Sequence, residues 1–246
     1  MRISLLTDVG QKRTNNQDYA NYFKNRKNTT LVLLADGMGG HRAGNIASEM
    51  AVTDLGAAWV NTDIDSINGV REWFAEYLEK ENQKIHSAGQ GEDFKGMGTT
   101  LEAVVIIENQ AIYAHIGDSR IGLVRGEKYT QLTSDHSLVN ALLKAGQITA
   151  EEAERHPQRN IITQSIGQKD EIEPDIGLVT LEVGDYLVIN SDGLSNMLAP
   201  SEIYDIVTSD IEFPEKVATL IRFANKAGGL DNITVVLVQV DEEDLA

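Results

Sequence analysis

Cysteine is absent from this chain of 246 residues. Disulfides, thiolate nucleophiles and sulfur-ligated zinc or iron are therefore excluded, and any metal must be held by oxygen or imidazole. Basic residues are scarce as well: 21 Lys and Arg stand against 38 Asp and Glu, a formal net charge of −17. Such a surface repels nucleic-acid phosphates, no basic tract interrupts it, and no nucleic-acid partner is expected. No apolar run approaches the roughly 20 residues that a bilayer-spanning helix requires, so no membrane insertion is expected. The opening "MRISLLTDVG" meets Asp8 too early for a secretory signal, which predicts a cytoplasmic protein. Neither a P-loop nor a GxGxxG fingerprint occurs, so no nucleotide-binding turn is marked.

What is present reads as one globular domain with a sizeable core, hydrophobic content being 41% and charged content 24%. Strand-length apolar runs fall at 2–7, 29–35, 100–107, 111–117, 120–126, 185–191 and 232–240. Helical patterns occupy 43–59 and 66–88 together, then 200–208 and 214–227, the last with Pro214 at its start and Gly228 beyond its end. The tight connection in "VIIENQAIYA" predicts an antiparallel hairpin. Elements grouped in blocks predict an α+β fold of antiparallel sheets covered by helices. The stretch 137–165 stands apart as an insertion of two short helices. One is closed by Gly146; the other is opened by Thr149 with Glu152 three residues on, a capping box, and is stopped by Pro157.

The chemistry begins in "TTLVLLADGMGGHRAG", where a buried strand delivers Asp36 and then a run of glycines. The event recurs in "YLVINSDGL" at Asp192. Asp231 and Asn232 precede the last strand, Asp18 closes "RTNNQD", and Asp118 follows "YAHIG". Taken singly, each reads as a turn or a cap. As a set, hard oxygen ligands where strands run out are what Mg²⁺ or Mn²⁺ requires, and isolated buried carboxylates would cost far more than paired ones. The glycines let the backbone approach closely, so the carbonyl of Gly37 is itself a candidate ligand.

"RTNNQD", "LLADGMGGHRAG", "GMGTT", "IGDSR", "SDGL" and "GGLDN" follow in order along the chain. The pattern resembles the bacterial branch of the metal-dependent serine/threonine protein phosphatases, the type 2C family, over essentially the whole length. The resemblance implies a four-layer αββα sandwich of two antiparallel sheets flanked by helices, with 137–165 as a helical flap. It implies hydrolysis of phosphoserine and phosphothreonine monoesters by direct attack of a metal-bridging hydroxide, with two core ions, Mn²⁺ or Mg²⁺, and a third. Asp36 would bridge the core ions and Asp192 and Asp231 would complete the first. The Gly37 carbonyl would serve the second, with Asp18 holding its waters. Asp118 would bind the third ion and Arg13 would grip the phosphate. Partners would be phosphorylated proteins, with a serine/threonine kinase and its substrates among them; the family default is a monomer.

Gln17 stands where many relatives carry Glu, so a carboxylate role there does not carry over. Of five histidines, His115 is expected to be structural, and His86, His136 and His156 have no ligand pattern nearby. His41, in the glycine loop beside Asp36, would protonate the departing serine oxygen. Two other readings share the fold: a catalytically silent phosphoprotein-binding module, which loss of a ligand would mark, and a metal-dependent small-molecule phosphatase.

Overall fold

The structure is a computed structural model that describes residues 1–39 and 43–242. In chain order the elements are β1 (Arg2–Asp8), β2 (Asp18–Lys24), β3 (Thr30–Met38), α1 (Ala43–Val60), α2 (Ile67–Ala88), β4 (Gly98–Thr99), β5 (Leu101–Ile107) and β6 (Gln110–Ile116). There follow β7 (Arg120–Arg125), β8 (Lys128–Gln131), α3 (Leu138–Lys144), α4 (Ala150–Glu154), β9 (Asp175–Thr180) and β10 (Tyr186–Asn190). The chain closes with α5 (Asp192–Ser195), α6 (Pro200–Thr208), α7 (Phe213–Lys226) and β11 (Ile233–Gln239). One sheet has the order β1-β11-β10-β7-β8 and the other runs β2-β3-β5-β6-β9, with β4 paired to β3. All of the ladders are antiparallel.

The alternation of side chains along a strand explains why the runs are apolar without a break. Leu31, Leu33 and Ala35 of β3 pack under α1 and α2, while Val32 and Leu34 face the opposite sheet. In β11, Ile233, Val235 and Leu237 pack under α6 and α7, and Val236 and Val238 point between the sheets. Three apolar clusters therefore separate four layers, αββα, and each fully buried aliphatic side chain contributes about 1.5–3 kcal/mol. α1 presents Ala47, Ala51, Leu55 and Trp59 at four-residue spacing to β3, and Trp59 donates its indole N–H to the Thr29 carbonyl at 3.1 Å. Among the described residues no helix is long and apolar enough to cross a membrane.

The predicted strands are present, within a residue or two at their ends except that β3 runs three residues further, to Met38, and so are the four long helices. β2, β8 and β9 were not foreseen. All three are sheet edges, β8 of the first sheet and β2 and β9 at the two ends of the second, and they mix exposed with half-buried positions instead of forming one apolar run. The flap forms as expected. Thr149 and Glu152 exchange hydrogen bonds at 3.2 and 2.7 Å, and Gly146 adopts φ 68°, open to glycine without strain. Its two ends are drawn together where Leu138 N–H meets the Ile161 carbonyl at 2.9 Å and Thr163 N–H meets that of His136 at 2.8 Å.

Candidate active site

Asp36 lies at the end of β3, directly opposite Asp18 of β2 in the register. Its main chain is clamped from the neighbouring strand: Asp36 N–H donates to Thr100 Oγ1 at 2.9 Å, and the Asp36 carbonyl accepts from Thr100 N–H at 2.9 Å and Thr99 Oγ1 at 3.0 Å. The glycine that follows is required by crowding. A Cβ on Gly37 would stand 2.0 Å from the Gly44 carbonyl oxygen and 2.7 Å from that of Gln17, both rigid backbone. A Cβ on Gly44 would in turn stand 2.7 Å from the Gly37 carbonyl oxygen, so the two glycines let the end of β3 pack against the start of α1.

Asp18 is buried and oriented. Its Oδ2 accepts from Ser191 Oγ at 2.7 Å and from Thr234 Oγ1 at 2.7 Å, while Oδ1 has no hydrogen-bond partner. Asp192 does not end a strand, as the sequence suggested; β10 stops at Asn190, and Asp192 opens the short helix α5. Asn196 Nδ2 donates to its Oδ2 at 2.9 Å and its Oδ1 is likewise buried without a partner. Asp231 Oδ1 accepts its neighbour's N–H from Asn232 at 2.9 Å, and Oδ2 pairs with Arg13 Nη2 at 2.7 Å. Asp118, after β6, faces the same space and lines a cleft of about 740 Å³ together with Asp192.

The electrostatics follow from crowding acids into a dry place. Burial, then the charges of Asp18, Asp192, Asp118 and Asp231, hold the Asp36 carboxyl well above the usual carboxylate range. Burial and the neighbouring Asp118, Asp231 and Asp18 push Asp192 up to about 8. Asp18 is raised to about 6 by burial, against the pull of the Thr234 and Ser191 hydroxyls, and Asp118 to about 6 by burial and Asp135. Among the described residues no three carboxylate or imidazole groups close into a finished metal cage. The donor set nonetheless fits divalent cations. Carboxylates that repel one another, two of them with a buried oxygen lacking any partner, are hard oxygen donors short of positive charge.

The structure thus gathers Asp18, Asp36, Gly37, Asp118, Asp192 and Asp231. Arg13 is at the site too, engaged with a proposed ligand. Gln17 meets it through its backbone, its N–H on Asn232 Oδ1 at 2.9 Å and its carbonyl on Gly37 N–H at 3.0 Å. His41 lies outside the described residues. His115 is structural, buried with Nδ1 on Glu102 Oε1 at 2.6 Å and Nε2 on the Ser134 carbonyl at 3.2 Å. His136 has more company than its surroundings in the sequence suggested, its ring 4.6 Å from that of His115 and its Nε2 3.3 Å from Asp175. The orienting residues Thr100, Ser191, Thr234 and Asn232 were missed as such. Each adjoins or nearly adjoins a motif aspartate or threonine, but their partners come from other elements.

The family model described as protein phosphatase 2C matches residues 9–237. The chain is 75% identical over 244 residues to protein phosphatase PhpP of Streptococcus pneumoniae, with 99% of each chain covered. Its fold superposes on the serine/threonine phosphatase of S. agalactiae with a TM-score of 0.96 at 59% identity, covering 98% of this chain and 99% of that one. It also superposes on the catalytic domain of the phosphatase PstP in complex with two manganese ions, with a TM-score of 0.85 at 31% identity and 98% of each chain covered. The matched span takes in Asp18, Asp36, Asp118, Asp192 and Asp231, and the chain belongs to the protein phosphatase 2C family.

Proposed function

We propose that residues 1–246 form one catalytic domain, a metal-dependent protein-serine/threonine phosphatase that hydrolyses phosphoserine and phosphothreonine monoesters on proteins. The observation that carries this reading is the convergence of Asp18, Asp36 and Asp192, carboxylates that cannot all stay ionised without added positive charge. Asp36, Asp192 and Asp231 would hold a first Mn²⁺ or Mg²⁺, Asp36 and the Gly37 carbonyl a second, and Asp118 a third, with Asp18 taking hydrogen bonds from the second ion's waters. Bound cations of this kind neutralise phosphoryl charge and lower the pKa of the attacking water. Arg13 would fork onto two phosphate oxygens and fix the ester for attack in line. His41 would give a proton to the serine or threonine oxygen as it leaves. The cleft from Asp118 and Asp192 to the flap would take the protein chain on either side of the phosphorylated residue. With this reading go a cytoplasmic place in signalling, a kinase and its substrates as partners, and a monomeric state. The intact acidic set argues against a silent binding module.

Turnover of a phosphothreonine peptide by chelator-treated protein, titrated with Mn²⁺ and Mg²⁺, tests the reading. Activity is expected only with metal, and a panel of free nucleotides should be turned over far more slowly. Metal-independent turnover, or nucleotides preferred over peptides, would overturn it.

A further inference from the structure

Arg13 and Asp231 are delivered to each other by their backbones. The turn that carries Asp231 is pressed against the segment leading to Arg13, since a Cβ on Gly10 would lie 2.1 Å from the Asp231 carbonyl oxygen. Asn232 ties the two together, its Nδ2 donating to the carbonyls of Val9 and Asn15 at 2.9 Å each. From this fixed frame Arg13 Nη2 reaches Asp231 Oδ2 at 2.7 Å, and the charges of Asp192 and Asp36 add to the attraction. Asp231 Oδ1 is already taken by the Asn232 N–H at 2.9 Å. Oδ2, the oxygen without a main-chain partner, is the one that holds the guanidinium, and a cation that binds there must displace it.

A guanidinium and a divalent cation carry the same sign and seek the same oxygen. We propose that Arg13 is the resident counter-ion of the metal site, holding Asp231 until a divalent cation takes that carboxylate. Its displacement frees the same guanidinium for the substrate phosphate, so metal occupancy and readiness for phosphate are coupled through one side chain. The proposal rests on the reading of Asp231 as a metal ligand. The side chains of Arg13 and Asp231 are 52% and 34% exposed, and a pair so open to water is weak enough for an ion to displace. Its loss should change metal affinity about two- to fivefold, the range typical of exposed ion pairs.

Calorimetric titration of Mn²⁺ into the chelator-treated full chain, in phosphate-free buffer, tests this in the wild type, Arg13→Ala and Lys12→Ala. Lys12 is an exposed neighbour of the same charge and controls for the general field. Arg13→Ala should bind one Mn²⁺ about two- to fivefold more tightly than wild type, and Lys12→Ala should match wild type. Thermal midpoints of the chelated proteins verify that both variants are folded. Unchanged or weaker binding in Arg13→Ala would overturn the proposal, and so would an equal gain in Lys12→Ala. Absence of Mn²⁺ binding in the wild type would instead overturn the assignment of the metal site.

Discussion

Asp18 and Asp36 share one rung of the β2–β3 ladder, two carboxyl groups facing each other at the buried end of a sheet. Like charges directly opposite across a ladder destabilise it. The conflict is felt at Asp36, whose carboxyl burial and the charge of Asp18 hold well above the usual carboxylate range, and cations would relieve it when they bind. The carboxylates proposed to serve the metals therefore work against the resting fold.

Replacing Asp36 by Asn should separate the two roles. Asn keeps the shape and brings no charge toward Asp18, but it cannot bridge two cations. Turnover should be abolished and binding of both ions weakened, whereas Asp192→Ala should chiefly damage one ion. The chelated Asn variant should also melt higher than chelated wild type, by about 2–4 °C for each kcal/mol of repulsion removed. Calorimetry with Mn²⁺ and thermal melts in chelator check both parts, and unchanged stoichiometry in Asp36→Asn would rule out the bridging role.

The candidate site was legible in the sequence because its proposed ligands sit where apolar runs stop. "LLADG" and "SDGL" state both a strand exit and a close backbone approach in adjacent letters. The parts that were not legible depend on partners far apart in the chain. Thr234 and Ser191 are 216 and 173 residues from the Asp18 that they orient, and no local pattern announces such a contact. The same holds for β2, β8 and β9, whose pairing comes from a neighbouring strand and not from their own composition. Arg13 was expected to await phosphate; its pairing with Asp231 is a tertiary fact.

The Asp18 cradle carries its own prediction. Thr234→Val keeps the volume and removes the hydroxyl that donates to Asp18 Oδ2. Orienting groups of this kind typically matter about 10- to 100-fold in metal affinity, and a loss in that range is expected here, with Ser191→Ala similar. Mn²⁺ affinity equal to wild type in both variants would remove Asp18 from the metal site.

Glu81 gives a prediction about pH that is independent of catalysis. It is buried between α1 and α2, with one oxygen lacking a partner, beside Asp54 and Lys84, which themselves form an ion pair. Burial first and Asp54 second raise its carboxyl to about 8, with Lys84 opposing. The unfolded chain gives up this proton near pH 4.3. The native state thus keeps a proton that the unfolded state loses, and stability should fall as pH climbs from about 4 to about 8. Glu81→Gln keeps the shape and removes the ionisation. At saturating Mn²⁺ it should match wild type near pH 4 to 5 and exceed it on the order of 1–3 kcal/mol at pH 8. Denaturant unfolding across that range measures the difference, and parallel curves would refute the assignment.

The cleft separates two kinds of substrate. It starts at Asp118 and Asp192 and passes between Val139, Leu143 and Ala153 of the flap and Met197, Leu198 and Pro200 on the other wall. Nitrophenyl phosphate is small enough to use the carboxylate end alone, but a phosphopeptide must lay its flanking residues along the rest. Ala153 sits on α4, a five-residue helix with its own capping box, half buried and apart from the three core clusters. Ala153→Trp should therefore narrow the cleft without loosening the fold. It should raise the phosphopeptide KM about 10-fold, leave nitrophenyl phosphate constants near wild type, and keep the thermal midpoint. Asp118→Ala acts at the other end: the two core ions should stay bound while phosphopeptide turnover is lost. Steady-state constants on both substrates, with Mn²⁺ stoichiometry for Asp118→Ala, check the pair. An equal effect of Ala153→Trp on both substrates would mean that the flap shapes the metal site itself, and no effect on either would place the peptide elsewhere.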